Sequence, residues 1–206
     1  MHKKYLNCDY NGIQLFKTKT SSVDQNKRVV KQTSFVAGET YYVDKSEDLG
    51  KLQNLVNSGA DTTNVIFELT SDIDMTGVTF RGIGIDSTNC FKGTFDGQGH
   101  IISGLEINTT ESYVGLFGCT DKATIKNIGI IGCKINGARY TGGIVGLATS
   151  SNINNSFCCG NIVGNVSVGG CVGESATSSL TNLYFKGDVT STGNLTRCTG
   201  ASVRAV

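Results

Sequence analysis

One motif returns three times along this chain at a constant interval. Its successive copies read YVGLFG, YTGGIVG and SVGGCVG. The glycines Gly115, Gly142 and Gly169 follow one another at intervals of 27 residues. A second series keeps nearly the same interval and consists of Asn127, Asn155 and Asn182. Landmarks that stay in phase over three copies predict a solenoid, because a period of this length is typical of one stacked structural unit.

Each period is built from short apolar runs and lacks a helical pattern. Runs such as residues 128–131 are rich in Ile and Val and are bounded by Gly, Asn or Ser. Each glycine inside a helix would cost about 1 kcal/mol relative to alanine, so these runs indicate strands and turns. A helix-free period of this size predicts one coil of a parallel β-helix, in which every strand pairs with its copies above and below. The predicted fold class is all-β.

The stacked coils predict both a core and an internal ladder. A single coil cannot close a core, so stability has to come from stacking. The three repeated asparagines are expected at one corner, where their side-chain amides can hydrogen-bond to each other. Alternation along the strands places ten residues in the core: Val114, Ile125, Ile128, Ile130, Ile135, Ile144, Ile153, Val163, Val172 and Leu180.

The repeats and the region before them resemble a known family. The phrases GLFG…ATIKNIGIIG and GGIVG…INNSFCCGNIVG are similar to the GLUG repeat of bacterial surface and secreted proteins. The stretches YYVDKSEDLGKLQNLVNSG, VIFELTSDIDMTG and FKGTFDGQGHIISGLEI are similar, in this order, to the region that typically precedes such repeats. The resemblance runs from about Gly38 to Gly193. It implies a right-handed parallel β-helix of the pectin-lyase-like kind, found mostly as a stalk, adhesin or accessory region of larger proteins.

The chain is expected to divide into an N-terminal extension and the β-helix. Residues 1–37 lie outside the resemblance and contain a β-hairpin signal at Asn11-Gly12, followed by a polar linker. Residues 38–206 are expected to form the β-helix, whose last coil is incomplete because the repeat fades after Gly193. The open strand edge of this C-terminal coil is a candidate surface for self-association.

A short capping helix is predicted at about residues 46–58. Ser46 starts it, and Gly59 ends it. One apolar stripe runs along this helix and consists of Leu49, Leu52, Leu55 and Val56. Such a helix is expected to cover the open N-terminal end of the β-helix core.

Composition argues against several classes of function. The chain has 206 residues, with 18 Lys and Arg against 17 Asp and Glu, so no nucleic-acid-binding surface is indicated. Its apolar runs are far shorter than the roughly 20 residues that a membrane span needs. There is no CxxC motif, and neither histidine lies at a zinc-like distance from a cysteine pair. No metal and no cofactor are predicted.

The eight cysteines show no paired spacing. Several occupy repeat positions that favour small apolar residues, since Cys171 aligns with Ile144 and Cys158 aligns with Ile130. We therefore expect buried thiols that act as small hydrophobic side chains, with disulfides or a metal site as the alternatives. Buried thiols fit a reducing compartment, whereas the resemblance implies an extracellular or cell-surface location. No signal peptide is evident, so a cytoplasmic location also stays open.

The glycine-rich segment 91–105 carries the candidate catalytic residues, Asp96 and His100. Their turn resembles the DGxG coil of polygalacturonases and related β-helix enzymes. A glycosidase needs two positioned carboxylates, and the coils that follow carry Gly, Ser, Asn and Thr at the corresponding positions. Asp96-Gly97 is also a common turn dipeptide. A structural role for Asp96 is therefore favoured over a catalytic one.

Tyr113 and Tyr140 are the candidate ligand-binding residues. They align one coil apart, and an aromatic row on a β-helix can stabilise the coils or bind sugars. Ser167 breaks the row in the third copy, which favours the structural role.

The favoured function is a non-enzymatic binding or structural module, adhesin-like or a scaffold in a surface protein, with a glycan or host-surface ligand. One alternative is a carbohydrate-active lyase or hydrolase that uses Asp96 and His100. The other is a self-assembling structural unit.

Overall fold

The computed structural model describes residues 24–193 and shows a solenoid of six stacked coils. Two short 3-10 turns, Gln25–Lys27 and Val29–Lys31, precede the solenoid. Its elements in chain order are β1 (Thr40–Val43), α1 (Ser46–Asn57), β2 (Ile66–Leu69), β3 (Ile73–Asp74), β4 (Thr94–Asp96), β5 (Ile101–Ser103), β6 (Glu106–Asn108), β7 (Phe117–Asp121), β8 (Thr124–Lys126), β9 (Gly129–Asn136), β10 (Arg139–Gly142), β11 (Val145–Thr149), β12 (Asn152–Gly164), β13 (Val166–Gly169), β14 (Val172–Ala176) and β15 (Ser179–Ser191).

The strands pair in parallel and form columns along the solenoid. β1, β2, β4, β8, β12 and β15 stack in this order and define the first to the sixth coil. Beyond the next corner, β3, β5 and β9 stack onto the second half of β12. A third column contains β7, β11 and β14, and β10 pairs with β13. Asn152 pairs with Ser179, which lies 27 residues further along the chain. The predicted parallel β-helix and its coil length are confirmed.

The core is a column of inward-facing side chains shared by all coils. Phe95, Ile125 and Ile153 are in register on neighbouring coils, and all three are fully buried. Of the ten predicted core residues, eight are buried, and Leu180 is half-buried against the core. Stacking rather than any one coil therefore encloses the apolar side chains, as the period predicted.

The prediction that Val163 belongs to the core is wrong. Val163 is half-buried, and the neighbouring Ile162 fills the core position beside Ile135. The pairing register between β9 and β12 shifts between Cys159 and Gly160. A shift of one residue exchanges the inward and outward faces of a strand, so counting the repeat by a fixed interval selects the wrong residue beyond it.

Three corners of each repeat coil hold a non-glycine residue with positive φ. The angles lie between 46° and 62°. This conformation costs an ordinary L-residue about 1–2 kcal/mol, and asparagine visits it most readily. Three stacked columns share it: Tyr113, Tyr140 and Ser167; Lys122, Ser150 and Thr177; Asn127, Asn155 and Asn182. The repeated tyrosines and asparagines of the sequence are therefore corner residues.

The capping helix predicted at about residues 46–58 is confirmed as α1. It lies between β1 and β2, so it belongs to the N-terminal end of the solenoid. Leu49, Leu52 and Val56 are fully buried in the common core. Gly59 follows with φ of 92°, a conformation that commonly ends helices.

The described part of the predicted N-terminal extension packs against α1. Val29 is fully buried, and the buried Asp48 carboxylate accepts hydrogen bonds from the Arg28 guanidinium and from Val30 N, each at 2.7 Å. Charged, fully buried contacts of this kind hold a segment firmly in place. The domain boundary at residue 37 stays a prediction, and the hairpin signal at Asn11-Gly12 lies outside the described residues.

Cys90 and Cys119 form a disulfide, which corrects the expectation of buried thiols at these two positions. Phe91 and Thr120 form a β-bridge between the third and fourth coils, and this bridge brings the preceding cysteines to a Cα–Cα distance of 4.7 Å. Buried thiols, as predicted, are found at the other four described positions, Cys133, Cys158, Cys159 and Cys171. Two cysteines lie outside the described residues: Cys8 and Cys198.

Candidate functional site

A ladder of side-chain amides follows one corner of the solenoid. Asn182 Nδ2 donates to Asn155 Oδ1 at 2.8 Å, and Asn155 Nδ2 donates to Asn127 Oδ1 at 3.5 Å. Asn127 Nδ2 in turn donates to Asp96 Oδ1 at 3.0 Å. The structure thus brings the three predicted ladder asparagines together and adds the Asp96 carboxylate as the acceptor at the end of the row.

Asn155→Ala is expected to lower the free energy of unfolding by about 1–3 kcal/mol, because it removes two ladder hydrogen bonds and leaves alanine with a positive φ. Asn155→Gly removes the same bonds but accepts the native φ of 46° readily. It should therefore be less destabilising than the alanine variant. Urea denaturation of both variants measures the difference, and equal losses would contradict a contribution from corner strain.

Asp96 is held by its neighbours in the manner of a turn residue. Besides the ladder amide, Oδ1 accepts a hydrogen bond from Gln98 N at 2.9 Å, and Oδ2 lies 3.1 Å from Lys126 Nζ. A side-chain bond to the backbone two residues onward is typical of aspartate in turns. His100 has a different partner, since its Nδ1 lies 3.0 Å from Asp72 Oδ1. The two candidate catalytic residues are therefore engaged in separate interactions.

Glu68 is a residue of this polar row that sequence reasoning missed. Glu68 pairs with Asp96, and Asp96 pairs with Lys126, on the adjacent strands β2, β4 and β8. Gln98 Nε2 donates to Glu68 Oε1 at 3.2 Å. Burial raises the pKa of Glu68 above its ordinary value, and the Asp96 carboxylate raises it further. The signal that could have revealed the row is the interval of 28 and then 30 residues between its members.

Glu68→Gln is expected to stabilise the protein as pH rises. Because the pKa of Glu68 is raised in the folded state, that state keeps the proton at pH values where the unfolded chain, with an ordinary pKa of 4.5, has lost it. The wild type therefore loses stability as pH rises above this value, whereas the Gln98 contact can persist in the variant. Urea denaturation should give equal stabilities at low pH and a more stable variant at neutral pH. Glu106→Gln, at an exposed ion pair with Lys134, is the control and should change little. A constant difference between Glu68→Gln and the wild type at all pH values would contradict the raised pKa.

Tyr113 and Tyr140 contact each other on neighbouring coils. Their ring centroids are 5.1 Å apart, and the rings are tilted by 44°. The Arg139 guanidinium lies over the Tyr140 ring at 4.5 Å from its centroid, a favourable cation–π arrangement. At the same corner of the next coil, Ser167 Oγ instead donates to Glu174 Oε2 at 2.5 Å. The aromatic row thus has two members and an arginine.

Two shallow grooves meet beside this aromatic row. The first, of about 230 Å³, is lined by Arg81, residues 85–86 and residues 109–114, and so includes Tyr113. The second, of about 420 Å³, is lined by residues 77–81 and 106–109. Both contain Arg81 and Thr109, so they form one continuous polar depression, which we call the Arg81 groove.

The capping helix positions the loop that forms one wall of the Arg81 groove. Gln53 Oε1 accepts a hydrogen bond from Arg81 N at 2.7 Å. Asn57 Oδ1 accepts from Gly84 N at 2.7 Å, and Asn57 Nδ2 donates to Gly82 O at 3.0 Å. The polar face of α1, opposite the buried stripe, therefore fixes the backbone from which the Arg81 side chain extends.

The groove combines charged groups of both signs with an aromatic ring. Arg81 and Arg139 supply donors, and Glu111 supplies an exposed carboxylate. The Asp86 carboxylate accepts hydrogen bonds from Thr88 N and Asn89 N at 2.8 Å, and the hydrogen bond from Asn89 N, the larger effect, lowers its pKa. Asp86 therefore stays ionised and shapes its own loop.

Within residues 24–193, no group of three or more His, Cys, Asp or Glu side chains is arranged to hold a metal ion. Over the same residues, none of the helical segments has both the length and the apolar character that crossing a membrane requires.

No protein-family profile matches this chain, so the resemblance to the GLUG repeat is not confirmed. Two curated relatives are each 29% identical over 136 residues: a proposed Gly-rich membrane protein of Evansella cellulosilytica and halomucin of Haloquadratum walsbyi. The matches cover 62% and 63% of this chain but 14% and 1% of the relatives. The chain thus spans a small part of the length of the relatives that it matches.

A solved structure of a proposed immunoglobulin A1 protease from Bacteroides ovatus is similar to this chain. The TM-score is 0.54 at 17% sequence identity, and the match covers 76% of this chain and 63% of that protein. At this identity the likeness concerns the fold alone. By fold, then, this chain is a parallel β-solenoid similar to part of that structure.

Proposed function

We propose that this chain is a non-enzymatic β-helical module of a surface protein and that it binds carbohydrate in the Arg81 groove. The observation that carries the proposal is the Tyr113–Tyr140 pair, stacked with Arg139 at the end of a continuous polar groove. An aromatic ring beside convergent polar groups in a concave surface is typical of sites for small polar ligands.

The mixed charges of the groove favour a polyhydroxylated ligand. Arginine donates only and carboxylates accept only, whereas each sugar hydroxyl does both. Glu111, Thr109 and Arg81 can therefore all bond to neighbouring hydroxyls of one ligand. The apolar face of a sugar ring would pack on the Tyr113 ring.

An extracellular or cell-surface location fits this proposal. The Cys90–Cys119 disulfide is of a kind that persists in oxidising compartments. One relative bears the name of a Gly-rich membrane protein. The disulfide removes the conflict between a surface location and a chain of reduced cysteines.

A glycan-array measurement tests the proposal with a matched pair of variants. The double variant Tyr113→Ser, Tyr140→Ser copies the serine that the chain itself has at this corner in the next coil, with φ of 54°. We expect about tenfold weaker binding of the array glycans than by the wild type, with an unchanged melting temperature. Tyr42→Ser, on the distant strand β1, is the control and should bind like the wild type. Absence of wild-type binding to the array would contradict a carbohydrate ligand.

A hydrolase and lyase screen on the same glycans tests the alternative of an enzyme. The row of Glu68, Asp96 and Lys126 is the observation that favours this alternative, because it places two carboxylates on adjacent strands. Turnover that Asp96→Asn abolishes would overturn the non-enzymatic proposal. Self-association through the edge of the C-terminal coil stays a prediction.

A further inference from the structure

Two thiols meet in the middle of the solenoid core. Cys133 Sγ, from β9 in the fourth coil, lies 3.3 Å from Cys158 Sγ, from β12 in the fifth coil. Neither residue is more than 1% exposed. Their sulfur atoms are thus in direct contact across the boundary between two coils.

The backbone around this pair leaves room for both sulfur atoms. A Cβ added at Gly143 would overlap Cys158 Sγ, and one added at Gly160 would lie 2.5 Å from Cys133 Sγ. Two glycines of neighbouring strands therefore open the space in which the thiols face each other. Any side chain at either glycine would push the thiols out of this arrangement.

The other two described thiols have different surroundings. Cys171 Sγ donates to Tyr184 O at 3.1 Å, and burial raises the pKa of Cys171 to about 12. Cys159 packs in a separate apolar cluster with Ile131 and Phe157. Among the four described thiols, the geometry therefore selects the pair Cys133 and Cys158.

We propose that Cys133 and Cys158 form a second disulfide when the protein folds in an oxidising compartment. The two thiols lose two protons and two electrons and form one S–S bond. The oxidant is a small-molecule or protein disulfide, which is reduced to two thiols. The same class of oxidant would form the Cys90–Cys119 bond that the structure contains.

Burial fixes when this bond can form. The contact with Cys133 and burial raise the pKa of Cys158 well above its ordinary value, and exchange proceeds through the thiolate. The folded core also excludes the oxidant. The bond therefore forms before the fourth and fifth coils have fully stacked, and it resists reductants once they have.

The proposed bond would continue an axial connection along the solenoid. Cys90–Cys119 joins the third coil to the fourth, and Cys133–Cys158 would join the fourth to the fifth. Coils of a solenoid contact only their neighbours, so local opening between two coils is the natural way for the fold to fail. Consecutive crosslinks oppose that opening at the repeats that carry the tyrosines.

Peptide mapping of the full chain tests the proposal. The reduced, denatured protein is refolded in a glutathione redox buffer, quenched with acid, unfolded, and alkylated with N-ethylmaleimide without reductant. Mass spectrometry should find the peptide of Cys133 linked to that of Cys158 together with the Cys90–Cys119 link. Cys159→Ala and Cys171→Ala should each retain the link, and Cys158→Ala should lose it.

Alkylation of both Cys133 and Cys158 in the wild type would overturn the proposal, as would a link from either residue to another cysteine. The wild-type map needs no core variant, so the test does not depend on whether a variant folds. It is also independent of ligand binding and leaves the proposed function of the Arg81 groove untouched.

Discussion

Phe117→Ala is expected to lower the free energy of unfolding by about 3–5 kcal/mol. Phe117 is fully buried, and its ring centroid lies 5.0 Å from that of Phe91 and 5.2 Å from that of Phe95. Its backbone pairs with Val145 of the next coil. Because strand pairing on several columns holds the coils at a fixed spacing, the walls cannot close on the missing ring, and a cavity stays. Urea denaturation measures the loss.

Phe117→Leu is the matched control, because it keeps most of the apolar volume and should cost less than about 1.5 kcal/mol. Val30→Ala shortens an exposed apolar side chain and should leave stability nearly unchanged. An alanine variant as stable as the leucine variant would contradict rigid spacing of the coils at this position.

Loss of the Cys90–Cys119 disulfide is expected to cost about 3.5 kcal/mol, because the bond closes a loop across 29 residues and so restricts the unfolded chain. The double variant Cys90→Ser, Cys119→Ser should accordingly melt about 7–14 °C below the wild type. Thermal unfolding followed by circular dichroism, without reductant, measures the shift. A variant that melts with the wild type would show that the bond is unformed or contributes nothing.

Cys159→Ala is the control for this experiment, since it removes a buried thiol and leaves the disulfide intact. It should cost about 1 kcal/mol. The same series also reads the proposed second crosslink. Reductant present during unfolding should lower the stability of the double variant further if Cys133 and Cys158 are joined.

The period of the chain was enough to predict the architecture. Gly115, Gly142 and Gly169 return at one interval, and a repeat without a helical pattern has few ways to bury its apolar residues except by parallel stacking. The capping helix could be predicted because its signals are local: Ser46 at its start, Gly59 at its end and an apolar stripe between them. The asparagine ladder followed from the same period, because equivalent residues of stacked coils become neighbours.

Contacts between residues that are not equivalent in the repeat could not be predicted in this way. Glu68, Asp96 and Lys126 lie in one row although the intervals between them differ. Cys90 and Cys119 are joined through a bridge that forms outside the regular strands. Each case depends on the register between two particular coils.

The sequence by itself determined the class of fold, its period, its capping helix and most of its core, because these follow from local patterns and from their repetition. Only the tertiary structure decided the disulfide, the row of charged side chains and the groove beside Tyr113. The physical reason is that successive coils of the main column differ in length, between 26 and 30 residues. A difference of one residue reverses which side chains face inward, so the partners of each side chain depend on how the coils are aligned in space.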